Sequence, residues 1–174
     1  VETPFEHTAV GPVAFLSDGT SVQLAADPKD RWSIVLWDVG RGRQIRRFQI
    51  PPGGEPEAAG PLNPVILAIT GDGSVVAAAT SEIDEAGSVV RGYLAAWEAG
   101  TGKVRVKAEA KATALALSPD GALLATGGES GSIRLWSLSD GKELGAVHFG
   151  RTEIHALAFG PNPHRPEPSL EGEP

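Results

Sequence analysis

Between residues 114 and 144, short apolar runs alternate with turn-forming residues. Ala114 to Leu117 ends at Ser118-Pro119-Asp120-Gly121. Leu123 to Thr126 ends at Gly127-Gly128-Glu129-Ser130-Gly131. Ile133 to Trp136 ends at Ser139-Asp140-Gly141-Lys142. Runs this short, set between Asp-Gly and Ser-Gly turns, predict antiparallel hairpins. Gly accepts a positive φ in such turns, and Asp hydrogen-bonds its own backbone. A further run, Leu144 to Phe149, completes the unit as a last strand.

The unit recurs. Val13-Ala14-Phe15 leads into Ser17-Asp18-Gly19, and Ile34-Val35-Leu36-Trp37-Asp38 follows. Leu67-Ala68-Ile69 leads into Gly71-Asp72-Gly73, and Tyr93-Leu94-Ala95-Ala96-Trp97-Glu98 follows. Another copy opens at His155-Ala156-Leu157-Ala158-Phe159. A recurrence of roughly 40–50 residues, with four strands and a late Trp, predicts propeller blades. The expected fold is all-β: a partial β-propeller of four-stranded antiparallel blades. Blades are expected near 8–50, 62–108 and 112–149, with the inner strand of a fourth at 154–159. Residues 160–174, GPNPHRPEPSLEGEP, lack periodicity and predict a Pro-rich loop or tail.

The chain resembles the WD-repeat β-propeller family. The resemblance rests on the Ser118-Pro119-Asp120-Gly121 turn, on Leu135-Trp136 and on the Trp37-Asp38 pair, and it spans residues 5–159. It implies a polar network in which a His between blades meets an Asp in the turn after the second strand and, through Ser or Thr, the Trp indole. In the first blade His7, Asp30 and Trp37 match these positions, with Glu6 in place of the usual Gly and Ala26 in place of the hydroxyl residue. In the third blade Thr126 and Trp136 match, but Ser130 and Glu109 replace the Asp and the His, and Arg151 stands at the next His position. The resemblance implies an interaction platform more than a chemistry.

Two enlargements stand out against the repeat. Residues 51–64, PPGGEPEAAGPLNP, form a Pro- and Gly-rich loop between the first and second blades. Residues 81–92, SEIDEAGSVVRG, are expected as a long loop between the second and third strands of the second blade. The loop at 27–32 is also longer than its counterpart in the third blade. All three are expected on one face, and insertions gathered on one face mark a binding face. The candidate partner-binding residues there are Arg31, Trp32, Glu82, Asp84, Glu85 and Arg91. Trp32 suits a hot spot if exposed. The run at 41–47, RGRQIRR, predicts a charged outer edge that resists edge-to-edge pairing.

Composition narrows the chemistry. Hydrophobic residues at 41% and charged residues at 21% of 174 suit a globular chain. A net charge of −7 and aromatics at 6% argue against nucleic acid as partner. No apolar run approaches the roughly 18 residues of a membrane-spanning helix, so no membrane role is expected. The absence of Cys excludes disulfides and thiolate metal sites. It leaves the compartment open, with the cytoplasm favoured.

No catalytic or cofactor motif is present. His7, His148, His155 and His164 lack metal-ligand spacing, and there is no phosphate loop or Gly-x-Ser-x-Gly elbow. Asp18, Asp72 and Asp120 occupy one repeated turn position and are expected to form turns, not a carboxylate site. Glu82, Asp84 and Glu85 lack the alternating ligands of a calcium loop. The sequence thus predicts a non-enzymatic protein- or peptide-binding scaffold without cofactors. The alternative is a regulatory or structural propeller domain of a larger multidomain enzyme. Val1 and the lack of Met predict a piece of a longer polypeptide, with the remaining blades supplied by another chain or segment.

Overall fold

The computed structural model describes residues 10–15, 19–26, 33–50, 66–86 and 88–160. The described residues form twelve strands and no helix. The first sheet joins β1 (Val10–Phe15), β2 (Ser21–Ala26), β3 (Ser33–Asp38) and β4 (Arg43–Gln49). The second joins β5 (Ile66–Ile69), β6 (Val75–Ile83), β7 (Val89–Glu98) and β8 (Val104–Glu109). The third joins β9 (Ala114–Leu117), β10 (Leu123–Gly127), β11 (Ser132–Ser137) and β12 (Glu143–His148). Every strand pairs antiparallel with its neighbour in sequence, and the inner strands β1, β5 and β9 touch in series. These are the four-stranded blades of a β-propeller.

The Trp of each blade sits at the same irregularity. Trp37, Trp97 and Trp136 face Gln44, Val104 and Glu143, while the residues before them face Arg46, Val106 and Gly145. The outer strand therefore carries one extra residue there, a bulge that bends it and increases its twist.

The first turn of the blade is also repeated. In the second blade the Thr70 hydroxyl donates to Asp72 Oδ1 (2.7 Å), Ser74 N donates to the same oxygen (2.9 Å), and Val75 N donates to Thr70 Oγ1 (3.0 Å). In the third blade the Ser118 hydroxyl donates to Asp120 Oδ1 (2.5 Å), Ala122 N to the same oxygen (3.0 Å), and Leu123 N to Ser118 Oγ (2.9 Å). Gly73 and Gly121 follow the Asp with φ of +69° and +66°, which a side chain disfavours. Asp72 and Asp120 are thus structural turn residues. The Thr70 hydroxyl first, then the Ser74 amide, holds the Asp72 carboxyl below its ordinary value; the Ser118 hydroxyl, then the Ala122 amide, does so for Asp120.

The apolar core lies between blades. Ile34, Leu36, Phe48 and Ile50 of the first blade pack on Val76, Tyr93, Ala95 and Trp97 of the second. The Phe48 and Trp97 rings lie 5.5 Å apart at 40°. On its other face the second blade places Val75, Leu94, Ala96 and Val106 against Leu124, Trp136 and Leu138 of the third. A polar tie joins the first two blades: Arg46 Nη2 donates to Gly100 O at 2.6 Å. The charged edge expected at 41–47 is therefore partly committed to internal bonds.

Candidate functional site

The second blade departs from the repeat beyond its core. β6 and β7 have 9 and 10 residues, whereas β10 and β11 have 5 and 6. The long loop expected at 81–92 is instead mostly strand: Ser81, Glu82 and Ile83 pair with Gly92, Arg91 and Val89. Polar residues suggested a loop, but the ladder continues because its side chains bond one another. The Tyr93 hydroxyl donates to Glu82 Oε1 (2.9 Å), and Arg91 Nε lies 3.4 Å from Glu109 Oε1 on β8. Burial, foremost, raises the Tyr93 pKa. Asp84 caps the hairpin turn, accepting from Ala86 N (3.0 Å) and Ser88 N (2.8 Å).

The crossing from the second to the third blade runs beside this hairpin. Ala110 N donates to Gly92 O at 3.0 Å, and a Cβ on Gly92 would strike the Ala110 carbonyl and lie 2.6 Å from Lys111 Cα. Glycine is required there by close approach of two backbones. Lys111 Nζ donates to Val89 O at 2.7 Å, tying the crossing to the hairpin. Between the crossing and the β10–β11 turn lies a cleft of 450 Å³, lined by Gly92, Glu109, Lys111, Gly128 and Arg134 among others. A smaller cleft of 280 Å³ adjoins it, sharing Lys111 and Glu129 and reaching Ile66 and Glu153.

Residues singled out in the sequence fall into three groups. His7, Asp30, Arg31 and Trp32, with the loops at 27–32 and 51–64 and the tail at 161–174, lie outside the described residues. Glu82, Asp84 and Arg91 are brought together on the hairpin but are committed to internal bonds; Glu85 is exposed at its turn. Trp97 and Trp136 are buried at 2% and 6% exposure. Trp136 Nε1 donates to Thr126 Oγ1 at 3.1 Å. Register puts Ala25, not Ala26, opposite Val35 and hence at the position of Thr126; alanine lacks a hydroxyl at either. Asp38 is buried and accepts from Arg41 N and Nη1, both at 2.9 Å. The Arg41 guanidinium, ahead of its amide, lowers the Asp38 pKa.

Residues 153–160 make no strand pairing among the described residues. Ile154 nonetheless docks on the third blade: its amide donates to Gly128 O (3.2 Å) and its carbonyl accepts from Thr113 Oγ1 (2.8 Å). Among the described residues no three His, Asp or Glu side chains gather to hold a metal. No described helix is long and apolar enough to cross a membrane. Lys111 and Glu129, which line both clefts, carried no motif; two separate stretches, the crossing and the β10–β11 turn, bring them together.

Comparison with known proteins bears on the repeat. Residues 103–137 match the WD domain, G-beta repeat. A small ribosomal subunit protein RACK1 of Medicago sativa is 52% identical over 48 residues, covering 28% of this chain and 14% of that protein. RACK1y of Oryza sativa subsp. japonica is 42% identical over 69 residues, covering 38% and 20%. The chain thus matches no more than a fifth of the length of these relatives. The structure of U3-55K superposes with a TM-score of 0.59 at 18% identity, covering 86% of this chain and 42% of that one. The computationally designed Ika4 protein does so at 0.57 and 24%, covering 91% and 84%. At these identities the likeness is one of fold.

Proposed function

We propose that this WD-repeat chain is a non-catalytic scaffold module that binds a protein or peptide through the face carrying the long β6–β7 hairpin. Its remaining propeller blades come from another chain or segment. The observation that carries the reading is that hairpin, extended past the inter-blade core and fixed by Glu82, Tyr93, Arg91 and Lys111. A projection of mostly polar residues, anchored in the core at Tyr93 and held by its own bonds, suits recognition, since little ordering entropy is lost on binding. The relatives named as ribosomal subunit proteins and as the MST50-interacting protein 11 support assembly with other macromolecules. They also support the cytoplasm as the compartment.

The test uses register. Replacing residues 83–90 by Asn-Gly leaves the Glu82–Arg91 pair to close a two-residue hairpin loop. The shortened chain should keep its circular-dichroism melt yet lose the peptides that the intact chain selects from a random displayed library. Retention of those peptides by the shortened chain would remove this face from the proposal.

A further inference from the structure

The third blade ends in an open interface built like the closed one before it. Toward the third blade, the second turns Val75, Ala77 and Ala79 of β6 and Leu94 and Ala96 of β7, all buried. Register places Leu123, Ala125, Gly127, Ile133 and Leu135 at the same five positions of β10 and β11. There Leu123, Ile133 and Leu135 are only half-buried, and Val147, paired with Ile133, is exposed.

The crossing out of the third blade repeats the crossing into it. Phe149 N donates to Gly131 O at 2.9 Å, as Ala110 N does to Gly92 O at 3.0 Å. A Cβ on either glycine would strike the crossing backbone, at the Gly150 carbonyl in one case and the Ala110 carbonyl in the other. Past the crossing, Ile154 seats over Gly127, and Ala156-Leu157-Ala158 repeats the Ala114-Leu115-Ala116 of β9.

β9 has a ladder, and its copy has none. Ser118 N donates to Leu123 O at 2.9 Å, and alternation along the ladder then aims the Ala116 and Ala114 amides at β10. Ala158 and Ala156 hold the corresponding places, and their backbone groups have no hydrogen-bond partner among the described residues. An unpaired strand edge beside an unfilled apolar face accepts an added strand. The backbone of that strand supplies affinity, and its alternate side chains supply specificity.

Deepening the reading that further blades come from outside the chain, we propose that residues 156–159 accept an extended, uncharged strand of a partner, antiparallel, in the manner of β10 on β9. The partner strand carries a leucine opposite Phe159, as Leu124 stands opposite Leu117, with a small residue after it. That leucine covers the open face of the third blade, as Leu124, fully buried, covers the second.

The probe is a labelled peptide with the sequence of residues 121–128, GALLATGG, titrated onto the intact chain and read by fluorescence anisotropy. It should bind. Alanine in place of the leucine that corresponds to Leu124 should weaken it about tenfold or more. N-methylation of the amide that corresponds to Ala125, which faces the acceptor, should weaken it by up to about tenfold. Methylation of the next amide, which points away, should change little. Ala158→Pro removes a donor of the acceptor strand and should weaken the peptide likewise. Its melt should stay unchanged, since Ala158 is exposed and outside every described ladder. A peptide equally sensitive to both methylations, or indifferent to Ala158→Pro, overturns the strand addition, and so does the absence of binding. The chain with residues 83–90 replaced should bind this peptide as the intact chain does. Failure here therefore leaves the hairpin face standing, and failure of the hairpin face leaves this site standing.

Discussion

Phe48 and Val147 hold the same place in two blades and have opposite fates. Phe48 pairs with Ile34 across β3–β4, and Val147 with Ile133 across β11–β12; each Ile precedes its Trp by three residues. Phe48 is 3% exposed, because Trp97 of the next blade lies on it. Val147 is 54% exposed, in a strand whose residues all face solvent, with Leu144 and Phe149 beside it. Backbone and pattern match, so burial is not a property of a blade alone. Each sheet supplies one half of a core, and the Trp of the following sheet supplies the other. Stability should therefore concentrate at the two closed interfaces and be nearly absent from the outer face of β12.

The strongest test removes a closing Trp. Trp136→Ala should cost about 3–5 kcal/mol, the range for large core aromatics, read as a lowered denaturation midpoint. An unchanged midpoint would break the comparison at its base. Next comes the matched pair itself. Phe48→Ala should cost about 3 kcal/mol, whereas Val147→Ala should stay within about 0.5 kcal/mol. If Val147→Ala becomes costly only when further blades are present, the open face is a site of blade docking; equal costs in the chain alone would contradict the exposures. Gly92→Ala should cost about 1–3 kcal/mol, since the added methyl must push the Ala110–Lys111 backbone away from the second blade. A neutral result would show that the crossing is loosely held.

The smallest effect concerns pH and should be common to the second and third blades. Asp72 and Asp120 have pKa values lowered below the ordinary 3.8. A depressed folded-state pKa contributes stability that is present above the unfolded value and lost as pH falls through the folded one. Melting temperature should therefore hold at neutral pH and decline below about pH 3.8. Asp120→Asn should flatten that decline; a full decline in the variant would assign it to other carboxylates.

The strands and turns were legible because their signals are local. Asp-Gly turns and runs such as Ile133 to Trp136 need only neighbouring residues to define them. The β6–β7 hairpin was not, because Ser81-Glu82 and Arg91-Gly92 lack an apolar alternation. Their strand form depends on Tyr93 reaching Glu82 and on Arg91 reaching Glu109 in another strand. Arg46 looked like a solvent-facing edge charge for the same reason: its acceptor, the Gly100 carbonyl, lies in the next blade. The clefts were least legible: Gly92 meets Lys111 where the β7–β8 pairing runs on into the crossing, and Glu129 joins them only when the β10–β11 turn of the third blade lies alongside.

Strict pairing of each strand with its sequence neighbour has a kinetic consequence. Every ladder closes over a short loop, so hairpins can zip without a long search; the non-local event is the docking of one finished sheet on another. Residues in the Thr70–Asp72 and Ser118–Asp120 turns act before that event, and Trp97 and Trp136 act during or after it. Disrupting the turns should therefore slow folding, while trimming the Trp side chains should mainly hasten unfolding. The two arms of a chevron plot would separate these effects, and equal shifts of both arms by both kinds of substitution would refute a stepwise assembly.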